Sequence, residues 1–514
     1  MKKYVLLITV LIVTIIFSSC RDDFAFSNST GDLRFSQDTV FLDTVFTNIG
    51  SSTRTFKVYN NSSNDIVIPR VALAQGENSN YRLAVDGVPG RVFENVELLA
   101  KDSLFVFVET TIDINDFSNG DEFLYTDAVE FDNGPNLQKV ELVTLVQDAI
   151  FLFPARDAQG VEETLLLGTN EDGEEIRING FILDDTELTL TAAKPYVIYG
   201  FAAVPANKTL TIDAGARLHF HSGSGIIVGN EGSLQVNGLP STTDDLENEV
   251  IFEGDRLEPI YADVAGQWAA IWLTDGSKDN IINHTTIKNA SVGIIMDNSN
   301  PSSNGATLKV NNTQIYNSSN SGIIATTGHI EAENLVINNS GQSSLVLRLG
   351  GEYRFNNCTI ANYWNSSFRQ DPTLFISNLI PNTEFTADLI QAQFTNCIIY
   401  GDRDIEFILA DDGVSQFNFS FENSLLKFND RFNDFTGLPH YDFTNTSLYN
   451  LNVINQDPIF KDEDNNELEI DDTGGANGIA NPMTGAANDI LGNPRPATAP
   501  DAGAYESQDL SAGS

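Results

Sequence analysis

The side chains of this sequence that could do acid–base or metal chemistry are mostly carboxylates. Asp402 and Asp404 stand two apart, Asp411 and Asp412 are adjacent, and Arg369 lies just before Asp371. Two carboxylates facing one groove are what glycoside hydrolysis requires. A polysaccharide lyase instead requires clustered carboxylates holding calcium, with an Arg or Lys as base. With 71 acidic residues in the chain, such pairs also arise as ordinary solvated faces. The run Asp462-Glu463-Asp464-Asn465-Asn466-Glu467 alternates oxygen ligands, which makes Asp462, Asp464 and Asn466 calcium candidates. Its sixth position is Glu467, where a tight EF-type loop requires Gly. No other cofactor is expected. Five histidines offer little for a His-rich metal site, and three cysteines cannot form a disulfide scaffold. Trp268 and Trp272, four apart on an expected strand, should share one face and pack in a core.

Composition narrows the partners. The 28 basic residues leave a net charge of −43, which repels phosphate backbones and excludes nucleic acid as the default partner. A hydrophobic content of 41% is enough for real cores and excludes global disorder. The chain opens Met1-Lys2-Lys3, continues apolar from Tyr4 to Phe17, and reaches Ser18-Ser19-Cys20. Residues 1–19 therefore read as a secretory signal, too short to span a bilayer. The segment resembles a bacterial lipoprotein signal, departing from it at Phe17 and Ser19, where Leu and Gly or Ala are usual. The resemblance implies that Cys20 is lipidated on sulfur and becomes the mature N-terminus, leaving the lipid as the only membrane attachment. Arg21-Asp22-Asp23 is similar to the surface-export tag of Bacteroidetes lipoproteins. It implies an outer-membrane lipoprotein exposed at the cell surface, with a periplasm-facing protein as the alternative. Residues 20–31 read as a polar tether.

Residues 32–149 alternate apolar and polar side chains with period two. Strand-like runs such as Thr55-Phe56-Lys57-Val58-Tyr59 and Lys139-Val140-Glu141-Leu142-Val143 are separated by turn clusters, as in an antiparallel sandwich. The stretch from Val45 to Ser52, followed by Phe56-Lys57-Val58-Tyr59-Asn60-Asn61, resembles Ig-like domains of the abnormal-spindle and hydin type. Its expected role is that of a spacer.

Beyond residue 150 a short pattern recurs. It reads Asn283-His284-Thr285-Thr286-Ile287-Lys288-Asn289, then Asn311-Asn312-Thr313-Gln314-Ile315-Tyr316-Asn317. Further copies place Ile337, Ile360, Ile399 and Leu426 at the same fifth position. The spacings of 28, 22, 23, 39 and 27 residues suit one turn of a parallel β-helix per copy, the long one being a rung plus a loop or two rungs. Third and fifth positions should point inward and the sixth outward. Cys358 and Cys397 share the third position, and are expected as packed thiols rather than a disulfide. Position two is Asn in five of six copies, which suggests an asparagine ladder at a bend.

Upstream, the stretches 210–220 and 232–238 carry the same inward alternation. With Val250-Ile251-Phe252-Glu253-Gly254 and Gly266-Gln267-Trp268-Ala269-Ala270-Ile271-Trp272, in this order, they resemble the right-handed β-helix lipoproteins of Bacteroidetes. Asp457-Pro458-Ile459-Phe460, Gly492-Asn493-Pro494-Arg495 and Pro500-Asp501-Ala502-Gly503-Ala504-Tyr505-Glu506 resemble that family's closing segment, from which the chain departs at Gly474-Gly475-Ala476-Asn477-Gly478. The fold class expected is all-β: an Ig-like β-sandwich, then a right-handed parallel β-helix over residues 150–508. Gly328-His329-Ile330 is only loosely similar to the Gly-His-Gly of polygalacturonases, and His329 reads as a rung-turn residue. The β-helix hosts both polysaccharide-degrading enzymes and non-catalytic adhesins, so fold does not decide function.

The outward sixth positions include Lys288, Tyr316, Asn338, Tyr400 and Lys427, with Trp364 just past the fourth copy. Such a face suits an extended polysaccharide, since aromatic faces stack on sugar rings and polar neighbours bond hydroxyls. The same residues would serve equally as ordinary solvent-facing strand positions. The reading carried forward is a non-catalytic envelope protein that binds polysaccharide or another envelope macromolecule. The alternatives are a polysaccharide lyase or glycoside hydrolase, and a purely structural envelope protein.

Overall fold

The structure, a computed structural model, describes residues 26–116, 122–170, 172–298, 307–381 and 383–513. The signal segment, Cys20 and the acidic tag lie outside the described residues. The chain divides into two compact units between Asp148 and Ala149.

The first unit is a sandwich of two sheets. One contains Thr39–Phe46, Ile66–Leu73, Val92–Leu98, Glu122–Phe131 and Gln138–Gln147; the other contains Arg54–Tyr59, Tyr81–Val85 and Ser103–Thr110. Alternation supplies the core: Leu104, Val106 and Val108 are buried, while Phe105 and Phe107 stand exposed on the other face of the same strand. The end of the segment read as a tether belongs to this unit. Ser27–Asn28 pairs in parallel with Ile66–Val67, and the Ser29 hydroxyl donates to Asp132 Oδ2 at 2.6 Å.

The second unit is a parallel β-helix. A sheet of 18 strands, which carries two strands of each rung, runs beside a sheet of ten. The repeat register is the rung register. Ile287 pairs with Ile315, Ile315 with Ile337, Ile337 with Ile360, Ile360 with Ile399 and Ile399 with Leu426. All six are fully buried, and so are Thr285, Thr313, Leu335, Cys358, Cys397 and Ser424 at the third position. The direct pairing of Ile360 with Ile399 makes the long interval one rung plus loops, at residues 363–373 and 378–388. Inside, Phe355, Phe394, Phe421 and Tyr449 stack with centroid spacings of 5.0, 5.0 and 5.7 Å, close to the rise between strands.

Position two makes the bend. His284, Asn312, Asn334, Asn357, Asn396 and Asn423 all have φ between 42° and 56°. Asn and His enter this left-handed region at lower cost than bulkier residues, which explains the residue type. The ladder is shorter than expected. Asn334 Nδ2 donates to Asn312 Oδ1 at 2.9 Å, but from Asn334 onward the amides also meet the C-terminal segment. Asn357 Oδ1 accepts from Ala486 N, Asn396 Oδ1 from Asn481 N, and Asn423 Nδ2 donates to Ile479 O.

Residues 456–507 thus fold back along the outside of the helix as a strap. Phe460, Leu468, Ile470, Ala504 and Tyr505 bury the outward side chains Val336, Ala361, Ile398, Tyr400 and Leu425. The closing phrases lock it. Arg495 donates to Asn334 Oδ1 and to Gly503 O at 3.1 and 2.9 Å and pairs with Glu506, while Asp501 accepts from Gly478 N and Ser507 N.

Candidate functional site

On most middle rungs the turn between the repeat strand and the next is short, as at residues 289–291, 319–320 and 341–344. On the rung of Thr359–Asn362 it lengthens to residues 363–373. This loop meets the turn of the next rung, residues 402–406, and the segment 429–434 that leads into the aromatic end of the helix. Between them lies an open cleft of about 520 Å³.

Its floor is a buried ion pair. Arg369 donates to both oxygens of Glu406, at 2.9 and 2.7 Å, and also reaches Asp402. Glu406 is fully buried and further accepts from Thr373 N, Thr373 Oγ1 and Arg403 N, at 2.9, 2.8 and 2.8 Å. Burial works against the charge of Arg369, but the Glu406 and Asp402 carboxylates outweigh it and its pKa is raised. Gly401 makes room, since a Cβ there would stand 2.2 Å from Glu406 Oε1. Lys427 O accepts from Glu406 N, and Asp404 O from Asn429 N, which fixes the third segment to the other two.

The walls are aromatic and charged. Phe368 and Phe432 are 83% and 84% exposed, and Trp364 is half-buried with its Nε1 donating to Ser367 Oγ. Exposed apolar rings gathered in a cleft mark a binding surface. Asp404 pairs with Arg431 at 2.6 Å, and Asp430 uses both oxygens to accept backbone N–H groups of Asp434 and Phe435. Asp402 and Asp404 thus share one cleft, as their spacing suggested, but each already faces a guanidinium. The arrangement offers stacking surfaces with fixed donors and acceptors between them. Neither Asp402 nor Asp404 is the unpaired carboxylate that double displacement or water activation uses.

Of the six residues expected to form the binding face, only Trp364 lines this cleft. The sixth positions do point away from the core, but the expectation of an open platform is corrected by the strap and neighbouring loops. Asn338 is 1% exposed, donating to Glu463 O and Asn466 Oδ1. Tyr400 is 5% exposed, and Lys427 lies over its ring at 4.9 Å. Lys288 pairs with Glu253 at 2.9 Å. Tyr316 is half-buried, and burial with Glu253, Asp263 and Glu249 nearby pushes its phenol up.

The calcium candidates are engaged separately. Asp462 caps the turn through Asn465 N, Asp464 accepts from Asn365 Nδ2, and Asn466 Oδ1 accepts from Asn338. Among the described residues no three His, Cys, Asp or Glu side chains are grouped to hold a metal ion. Asp411 and Asp412 both accept from Asn378 Nδ2, Asp411 also pairs with His440, and Asp412 closes the turn to Ser415. Asp371 is exposed and gives Arg369 only its backbone carbonyl. His329 is buried at the start of its strand, after the turn at Thr327 and Gly328. The tryptophans part company. Trp268 stacks on Phe220 at 4.4 Å in the core, while Trp272 turns outward and donates to Asp297. The strand begins only at Ile271, so period-two counting does not reach back to residue 268.

Phe368, Arg431, Phe432 and Asp434 had no repeat phase to expose them. A signal was present: each loop sets a phenylalanine beside an arginine, as Phe368-Arg369 and Arg431-Phe432.

No family model matches this chain, and no curated protein matches it in sequence. Solved structures show distant likeness. A family 123 glycoside hydrolase from Clostridium perfringens is 10% identical over 23% of this chain and 26% of its own, with a TM-score of 0.16. The ASH/PapD-like domain of human CEP192 is 14% identical over 26% of this chain and 94% of its own, at 0.16. The catalytic unit of a GH87 α-1,3-glucanase from Streptomyces thermodiastaticus is 9% identical over 72% of this chain and 79% of its own, at 0.20. The chain thus spans about a quarter of the first of these structures. The fold assignment rests on the strand pairing itself.

Proposed function

We propose that this chain is a non-catalytic glycan-binding protein of the cell envelope, held to the membrane through lipid on Cys20. One observation carries the binding reading. Three aromatic rings, two of them more than four-fifths exposed, wall a cleft in which Arg369 and Arg431 are each paired with a carboxylate. Planar rings stack on the faces of sugars, and fixed carboxylates and guanidinia bond their hydroxyls. Asp404 faces Arg431, but Asp402 shares Arg369 with Glu406, and with Asp430 and Asp434 also lining the cleft the carboxylates outnumber the guanidinia, so a neutral glycan suits it better than an anionic one. The same pairing weighs against the hydrolase and lyase readings.

Affinity electrophoresis through gels containing neutral glucans, xylans or mannans tests the proposal. The parent protein should be retarded by at least one polymer without releasing reducing ends. Phe368→Ala with Phe432→Ala should abolish the retardation while the melting temperature stays nearly constant. Retardation unchanged in that double variant places binding elsewhere, and product release makes the protein an enzyme. For the anchor, Cys20→Ala should move the protein from the detergent-requiring fraction to the soluble one.

A further inference from the structure

A second cavity lies on the same corner of the helix, near its first rungs. Its volume is about 330 Å³, and Phe153, Asn179, Tyr199, His221 and Ser224 are among its lining residues. Phe153 is 60% exposed. The His221 ring stacks on Tyr199 at 4.5 Å, and its Nδ1 lies 2.7 Å from Asp255 Oδ2. A carboxylate oxygen accepts, so Nδ1 is the ring nitrogen that donates to Asp255, and this bond fixes the ring's orientation. The Asp255 side chain is 8% exposed and that of His221 is half exposed. The histidine is therefore held from behind and open in front. Ser224 Oγ accepts from Gly200 N at 2.8 Å, which ties the two turns that form the cavity. Exposed aromatic, oriented imidazole, amide and hydroxyl are again the groups that recognise a sugar ring.

The two cavities share an edge of the solenoid. Tyr199–Gly200 and His221–Ser224 connect the repeat-strand sheet to the ten-stranded sheet, and so do residues 363–373 and 402–406. From the rung of Arg217–Phe220 to that of Thr359–Asn362 there are five successive strand pairings. At about 4.8 Å per rung the cavities are about 24 Å apart along the axis. Between them the edge carries the loop 255–266, with Ile260 and Val264 exposed, and then Gly341, against which Trp364 packs. The core stack of paired strands makes the spacing rigid.

We infer that this edge binds one long neutral glycan at two points, the cavity of His221 and the cleft of Phe368 and Phe432. The inference rests on the glycan reading of the cleft and adds the class of ligand: a polymer rather than a chain end or a short sugar. A chain long enough to occupy both sites makes its second contact within the complex, so its affinity should exceed that of a short chain on the order of a hundredfold. A chain too short to span gains nothing.

The test is calorimetric titration of the full chain with neutral oligosaccharides of graded length from whichever polymer retards it. Affinity should be flat for short chains and rise about a hundredfold once the span is reached. Phe153→Ala with His221→Ala should remove the rise and leave short chains one site, the cleft, in place of two, with an unaltered melting temperature as the check on folding. His221→Gln, which keeps a polar group in the cavity, should retain part of the rise. A flat length dependence in the parent, or a rise that survives the double variant, overturns the two-point reading alone. If no chain of any length binds, the cleft reading falls with it.

Discussion

The guanidinium of Arg369 and the carboxylate of Glu406 face each other through two hydrogen bonds, at 2.9 and 2.7 Å, with both side chains almost wholly out of water. The pair joins the loop of one rung to the turn of the next, and so sets the floor of the cleft. Breaking one partner of a buried pair leaves an uncompensated charge, whereas replacing both by apolar groups does not. Arg369→Met or Glu406→Leu alone should cost about 3–5 kcal/mol. Arg369→Met combined with Glu406→Leu should cost less than the sum of the two. Urea unfolding followed by tryptophan fluorescence measures this, and additive losses would mean the two residues do not act as a unit.

The strap depends on Gly503. Its φ is +95°, and a Cβ there would lie 2.6 Å from Ile398 Cδ1 and 2.7 Å from Thr359 Oγ1. Gly503→Ala should therefore cost about 1–3 kcal/mol, concentrated in the strap. Hydrogen exchange should quicken at the amides of Gly503 and Ala504, which now donate to Asn396 O and Thr359 Oγ1. The interior amides of Ile315 and Ile337 should keep their protection.

Cys358 and Cys397 occupy the same inward position on adjacent rungs, both buried and not joined by a disulfide. Burial first, then the neighbouring Cys397 thiol, pushes the Cys358 pKa well up, so little thiolate is available. Iodoacetamide should label neither residue in the folded protein and both in the unfolded protein without reductant. Mass analysis that finds both sites unlabelled after unfolding would reveal a disulfide.

Glu249 sits beside the strap side of the helix, accepting from Thr286 Oγ1 at 3.1 Å. Burial raises its pKa above the ordinary 4.5, and the Thr286 bond and Arg217 do not reverse this. The folded state thus holds this proton more tightly than the unfolded chain. Its contribution to stability is present below the ordinary value and is lost as pH rises from there through the raised pKa. Glu249→Gln keeps an acceptor for Thr286 and removes the titration. The variant should gain stability over the parent at neutral pH and lose the advantage below pH 4.5. Melting temperatures across that range decide it, and parallel curves would exclude the effect.

The repeat made most of the second unit legible. Ile287, Ile315, Ile337, Ile360, Ile399 and Leu426 could be aligned because inward strand positions must be apolar on every rung, and they stack in that register. The bend at position two was legible for a similar local reason, since few residues tolerate a left-handed backbone. Alternation also gave the outward direction of Asn338 and Tyr400. It could not say what they would meet. Their partners, Glu463, Asn466 and the apolar residues of the strap, lie far along the chain and follow no period. The cleft escaped for the same reason. Phe368-Arg369 and Arg431-Phe432 belong to loops that no hydrophobic phase describes, and the Arg369–Glu406 pair exists only because strand pairing stacks one loop on the next turn. Local sequence fixes which side of a strand a residue leaves from, because that is backbone geometry; contact across the solenoid is decided by rung stacking and by where the last segment lies down.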